Sequence, residues 1–78
     1  MAWNSVSVPQ GSKIFRVHNF TFMFKGANYT LEIDEFPDGT FTGHGEHATD
    51  KNLQIESVTG QTLESCLQSL IGKIEGRS

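Results

Sequence analysis

The residues best suited to bind a metal ion are concentrated in one short segment. His44, Glu46 and His47 lie within four positions, and Asp50 follows closely. Two imidazoles and a carboxylate can bind Zn²⁺ or Ni²⁺. In a strand, however, His44 and His47 point to opposite faces, and their spacing matches neither a metalloprotease helix nor a zinc finger. A polar strand end is therefore the first interpretation, and a weak metal or small-ligand site formed by His44, His47 and Asp50 is the second.

A second set of polar residues alternates with apolar ones along two predicted strands. Alternation places the set on the sheet face that looks away from the core. Paired carboxylates can act as acids and bases, but a solvated sheet face has no enclosed pocket that shifts their pKa values or excludes water. We therefore predict no catalytic residues and no cofactor, and the protein is not expected to be an enzyme. The set is predicted to form an acidic, partner-binding surface: Thr30, Glu32, Asp34, Thr42, His44 and Glu46.

The size and charge of the chain disfavour several classes of function. With 78 residues it forms one domain, near the size at which a single core only just offsets chain entropy. Its net charge of −3 and six scattered basic residues disfavour a nucleic-acid partner. It has no apolar run near the ~20 residues of a membrane span, and its start lacks a signal-peptide pattern. We expect a cytoplasmic protein with neither a membrane nor a nucleic acid as partner.

An amphipathic helix is predicted near the C-terminus. Thr59 is the predicted N-cap, preceded by Val58 as a hydrophobic staple to Leu63, and Gly76 is predicted to cap the other end. Cys66 lies on the apolar face and is expected to be a buried, reduced thiol, in keeping with a cytoplasmic protein. The apolar face follows the three- and four-residue spacing of a helix: Leu63, Cys66, Leu67, Leu70, Ile71 and Ile74.

The residues before the helix are predicted to form short strands. Residues 13–25 are strongly β-prone, but Phe15 and Val17 fall on odd positions, whereas the next aromatic residues fall on even ones: Phe20, Phe22 and Phe24. A tight turn or a bulge at His18-Asn19 accounts for this change of face. We predict two short strands here, with one bent strand as the alternative.

The following strands are predicted to pair as hairpins. Gly26-Ala27-Asn28 is the predicted first connection, and residues 29–36 alternate as a half-buried strand. The run Phe36-Pro37-Asp38-Gly39-Thr40 predicts a type I turn with a glycine bulge, which pairs Phe36 with Thr40. Counting outward from this pair predicts that Leu31 faces Gly45, Glu32 faces His44 and Ile33 faces Gly43. The two glycines would leave a groove that seats the helix.

Both ends of the chain are predicted to lie outside the packed domain, which spans residues 13–76. Residues 1–12 are predicted to be either a short edge strand or a disordered lead, with partial order around Val6 and Val8 favoured. Residues 77–78 are predicted to be either a frayed tail, because Ile74 continues the helical period, or the remnant of an expression vector, because Ile74-Glu75-Gly76-Arg77 matches the recognition sequence of the protease factor Xa.

Together these elements predict an α+β fold: an antiparallel β-meander of four to five strands with one C-terminal α-helix packed on one face. The aromatic residues, among them Trp3 and Tyr29, either lie under the helix or form an exposed contact. The first functional hypothesis is a protein–protein interaction or regulatory module, bacterial or phage-encoded, that binds an unknown partner or a second copy of itself through the open sheet face or an edge strand. The metal or small-ligand binder is the second hypothesis, and an enzyme subunit completed by another chain is the third.

Overall fold

The computed structural model describes residues 3–50 and 52–76, and it contains four strands followed by one helix. The strands are β1 (Arg16–Phe24), β2 (Ala27–Glu35), β3 (Phe41–His47) and β4 (Gln54–Gly60), and the helix is α1 (Leu63–Gly76). They form one antiparallel sheet in the order β1-β2-β3-β4. The helix packs on β4, β3 and β2. The predicted α+β meander with a helix on one face is confirmed, with four strands in the described residues.

β1 is one continuous strand, so the prediction of two short strands separated at His18-Asn19 is wrong. Every residue from Arg16 to Phe24 pairs with β2 without a bulge. Val17 and Phe20 do lie on opposite faces of the sheet, but they belong to one regular strand that carries apolar residues on both faces. His18 lies on the helix side, where Nε2 is 2.8 Å from Glu35 Oε1. The contact with Glu35 therefore accommodates the polar side chain of His18 at a position where the alternation predicts an apolar residue.

The β1–β2 hairpin closes one residue earlier than predicted. Lys25 and Gly26 form a two-residue turn in which both residues have positive φ, 50° and 79°. This is the backbone of a type I′ turn, whose twist matches that of the flanking strands. The closing pair is Phe24 and Ala27, so Ala27 and Asn28 belong to β2 and not to the connection.

The β2–β3 turn and its register are as predicted. Phe36 N–H donates to the Thr40 carbonyl at 2.9 Å, and Gly39 takes a φ of 92°. Asp38 Oδ1 accepts hydrogen bonds from the Thr40 hydroxyl at 2.7 Å and the Thr40 N–H at 3.0 Å. These bonds hold the pKa of Asp38 below its usual value. The predicted partners of β2 and β3 are confirmed in all three cases: Ile33 with Gly43, Glu32 with His44 and Leu31 with Gly45.

The junction between β4 and α1 differs from the prediction. Val58 and Thr59 are strand residues, and the N-cap is Thr62, whose Oγ1 accepts the Ser65 N–H at 3.0 Å. At Gly60 the end of β4 lies directly against the first turn of α1. A Cβ added to this glycine would lie 2.8 Å from Ser65 Oγ and 3.2 Å from the Cys66 nitrogen. The helix runs through Gly76, so the predicted glycine cap at that position is also wrong.

The core lies between the sheet and the apolar face of α1. The helix face is as predicted, with Leu63, Leu67 and Ile71 half-buried at its margins. A Cβ at Gly43 would meet Cys66 and Leu70 of α1, whereas the atoms nearest to a Cβ at Gly45 belong to Leu31 and Ile55 of the sheet. The buried apolar residues come from β2, β4 and α1: Leu31, Ile33, Ile55, Val58, Cys66, Leu70 and Ile74.

The N-terminal segment contains no strand between residues 3 and 15. A 3-10 turn spans Trp3–Ser5, and Val6 and Val8 are exposed. Together with Phe36 and Pro37 these valines line an open cleft of about 390 Å³. The edge-strand interpretation of this segment is therefore wrong. Predictions for residues 1–2 and 77–78 lie outside the described residues.

Candidate functional site

The predicted partner-binding residues lie side by side on the sheet face opposite α1, which we call the open face. Thr30 pairs with Glu46, Glu32 with His44, and Asp34 with Thr42. β4 adds Gln54 and Ser57 to this face. A shallow groove of about 280 Å³ is bordered by these two residues and by Thr30, Glu32, His44 and Glu46. Neither β4 residue was among the predicted partner-binding residues. The face of Gln54 follows from its alternation with Ile55, whereas the position of Ser57 depends on a register shift opposite His44, between Gly43 and Gly45.

A carboxylate, an imidazole and a hydroxyl form a chain across the open face. His44 Nε2 lies 3.5 Å from Asp34 Oδ2, and His44 Nδ1 lies 3.3 Å from Ser57 Oγ. This order of groups occurs in serine nucleophile sites, where the base lies about 2.6–3.2 Å from the hydroxyl. Both distances are longer here, and the His44 side chain is 46% exposed. We interpret this series of three polar groups as support for Asp34. Asp34 is 9% exposed, and its Oδ1 has no hydrogen-bond partner among the residues that the structure describes.

The potential metal ligands His44, His47 and Asp50 do not converge. His44 pairs with Glu32 on the open face, whereas His47 pairs with Tyr29 on the helix side. His47 Nδ1 accepts the backbone N–H groups of Thr49 at 3.2 Å and Asp50 at 3.0 Å, so this histidine closes the turn after β3. In the part of the chain that the structure describes, no three acidic, histidine or cysteine side chains are grouped to hold a metal ion.

One edge of the sheet is a long, regular strand with unpaired backbone groups. β1 has nine residues and pairs only with β2 among the described elements. The residues that close a two-residue turn exchange hydrogen bonds, and bonding then alternates along the strands. Counting back from Phe24, the even residues of β1 bond to β2. The N–H and C=O groups of Val17, Asn19, Thr21 and Met23 therefore point away from the sheet, and we call this set the β1 edge.

Apolar side chains flank the β1 edge on both faces. On the open face Val17 is 43% exposed and Met23 is 75% exposed. On the other face Phe20, Phe22 and Phe24 are only half-buried, because α1 lies over the other three strands. The rings of Phe22 and Phe24 are stacked with their centroids 5.6 Å apart. The backbone edge is thus bordered by exposed apolar side chains on one face and by half-buried aromatic rings on the other.

The opposite edge of the sheet is protected against pairing. β4 has seven residues and a register shift against β3, and exposed Glu56 lies in that irregular stretch. Irregular pairing and charge are devices by which natural sheets prevent edge-to-edge association. β1 has neither device between its ends: its one fully charged residue is Arg16, and no bulge interrupts it. The difference between the two edges singles out β1.

The buried thiol is a further chemically distinctive group. Cys66 is completely enclosed, and desolvation raises its pKa above the ordinary 9.0. Above pH 9.0 the unfolded chain loses the thiol proton while the folded chain keeps it, so the free energy of unfolding should fall by up to about 1.4 kcal/mol per pH unit. Urea titrations from pH 8 to pH 10 measure this slope.

Cys66→Ala provides the control for this prediction, because alanine removes the titrating group and leaves the other alkaline groups in place. The variant should lose the cysteine part of the alkaline slope. Equal slopes for the two proteins would show that the thiol titrates alike in both states. In the wild type, a thiol reagent should react only as fast as the chain unfolds.

Comparisons of the chain with protein-family models, with curated proteins and with solved structures find no match. Among the described residues, the single α-helix is too short and too polar to cross a lipid bilayer.

Proposed function

We propose that this protein is a non-catalytic protein–protein interaction module, and that its contact element is the β1 edge. The observation that carries the proposal is a nine-residue edge strand without a bulge. Its outward backbone groups lie between the exposed Val17 and Met23 on one face and half-buried phenylalanines on the other. A partner strand added to such an edge gains main-chain hydrogen bonds, and flanking side chains select the partner. The enclosed, reduced thiol of Cys66 suits action in the cytoplasm.

The open face supports the same class of function less directly. Its groove is shallow, and the groups around it include Glu32 and Glu46. Such a surface can steer a basic partner, but electrostatic contacts on a solvated face add more to association rate than to affinity. The β1 edge offers both hydrogen bonds and apolar contact, and we therefore place the principal contact there.

A substitution at Thr21 tests the edge without disturbing the sheet. Because the Thr21 N–H points outward, Thr21→Pro removes a donor from the β1 edge and leaves the β1–β2 hydrogen bonds in place. Binding of a partner from native lysate should fall at least about tenfold, which corresponds to about 1.4 kcal/mol. Thr21→Val is the matched control, because valine keeps the N–H and suits a strand.

The two variants give opposite results if the proposal is right: the valine variant retains partner binding and the proline variant loses it. A thermal unfolding curve at low protein concentration shows that each variant is folded. Partner binding by a folded Thr21→Pro protein at the wild-type level would exclude the β1 edge. Glu32→Lys would then test the open face.

A further inference from the structure

The β1 edge is self-complementary, and we infer that its occupant is β1 of a second copy of this chain. This inference rests on the proposed function, since it names the partner of the same edge. The contact would be antiparallel, with a two-fold axis perpendicular to the sheet. Such an axis keeps the faces of both copies aligned. The two sheets would then become one, with both helices on the same face.

The length of β1 selects one register. In a two-fold antiparallel pair, the residue on the axis faces the same residue of the second copy. A residue a given number of positions before the axis faces the residue of the second copy that lies the same number of positions after it. β1 runs from Arg16 to Phe24, and its middle residue is Phe20. Only a pair centred on Phe20 engages all nine residues of both strands. A shift of the centre by one residue in either direction leaves two residues of each strand unpaired.

The same register satisfies the outward backbone groups. Centring on Phe20 places Val17 opposite Met23 of the second copy, and Asn19 opposite Thr21 of the second copy. These four residues are the ones whose N–H and C=O groups point away from β2. Each of these pairs can therefore exchange two hydrogen bonds, and no outward group of the β1 edge is left without a partner.

The side chains in this register are also compatible. On the open face, exposed Val17 covers Met23 of the second copy, which is far more exposed. The two-fold axis produces this contact twice. On the helix side, Phe20 meets its own copy at a position without direct hydrogen bonds, where opposed side chains are closest. Arg16 faces Phe24, and the two copies of Arg16 lie at opposite ends of the contact. No like charges are opposed along the strand.

The contact area indicates a reversible dimer. A strand of nine residues is about 30 Å long, and the edge of a sheet is about 10 Å thick. The strand edge alone would therefore bury on the order of 300 Å² of surface per copy. Stable protein complexes bury about 800 Å² per partner. The flanking apolar side chains must supply the remainder, so we expect dissociation in the micromolar range, about 1–100 µM.

A pair of cysteines tests both the partner and the register. The variant Val17→Cys/Met23→Cys should form a covalent dimer under mild oxidation, because residues in an opposed, hydrogen-bonded pair have Cα atoms about 5.5 Å apart, within disulfide range. Within one chain the two positions are six residues apart on one strand and cannot bond to each other. Both sites are exposed, and buried Cys66 does not compete.

Val17→Cys/Thr21→Cys is the matched control, because these positions face each other only in the register centred on Asn19. It should form at least about tenfold less covalent dimer than the first variant, since disulfide geometry is specific. Sedimentation of the wild type between about 1 and 500 µM should show a monomer–dimer equilibrium, and Thr21→Pro should remain monomeric in that range.

The outcomes separate this inference from the proposed function. Equal cross-linking of the two cysteine variants, or a wild type that stays monomeric up to about 500 µM, would overturn the dimer in this register. A monomeric wild type that still binds a lysate protein in a Thr21→Pro-sensitive manner would overturn the dimer but uphold the function of the edge. Failure of Thr21→Pro to alter either kind of binding would overturn both.

Discussion

The Leu70→Asp variant is expected to show no cooperative unfolding transition. Leu70 is fully enclosed at the centre of the apolar face of α1. Losing a buried leucine costs about 2–5 kcal/mol, and an unpaired buried carboxylate adds several more. A domain of 78 residues has a free energy of unfolding of about 4–12 kcal/mol in total. Far-ultraviolet circular dichroism during heating and urea titration measures the loss.

Ser69→Asp is the matched control, because it adds the same charge to the neighbouring, exposed position of the same helix. Its free energy of unfolding should stay within about 0.5 kcal/mol of the wild type. Leu67→Asp should give an intermediate loss, since Leu67 is only half-buried. A sigmoidal transition for Leu70→Asp near the wild-type midpoint would show that α1 does not close the core.

The features that were predicted correctly depend on local signals. The helix face follows from the spacing of Leu63, Cys66 and Leu70 alone, and the β2–β3 register follows from one turn, Phe36 to Thr40. Once that turn is placed, the alternation of strand residues determines which side chains share the open face. The grouping of Glu32 with His44 was therefore accessible before any coordinates.

The errors lie where a contact between distant residues decides the structure. Val58 fits a hydrophobic staple as well as a buried strand position, and only its pairing with Gly43 makes it a strand residue. His18 interrupts an apolar pattern, and its partner Glu35 is 17 residues away. Because β1 was divided at His18-Asn19, its length as an uninterrupted edge, and with it the β1 edge, was missed.

A methyl group added at Gly43 is expected to destabilise the protein by about 1–3 kcal/mol, the usual cost of overpacking a core. In Gly43→Ala the new Cβ would lie 2.9 Å from Cys66 Sγ, 2.9 Å from Val58 Cγ2 and 3.0 Å from Leu70 Cδ1. All three side chains are enclosed, so none can move without disturbing others. For a domain of this size, each kcal/mol lowers the melting temperature by about 4–8 °C.

Two further variants show whether steric crowding is the cause. Gly72→Ala adds the same methyl group where nothing lies within 4 Å, in the interior of α1, and should stabilise the protein by up to about 1 kcal/mol. Cys66→Ala removes one of the three crowding atoms, so the double variant Gly43→Ala/Cys66→Ala should lose less stability than the two single losses added together. Strict additivity would show that the methyl group does not meet the thiol. An unchanged melting temperature for Gly43→Ala would show that α1 sits farther from β3 than the structure places it.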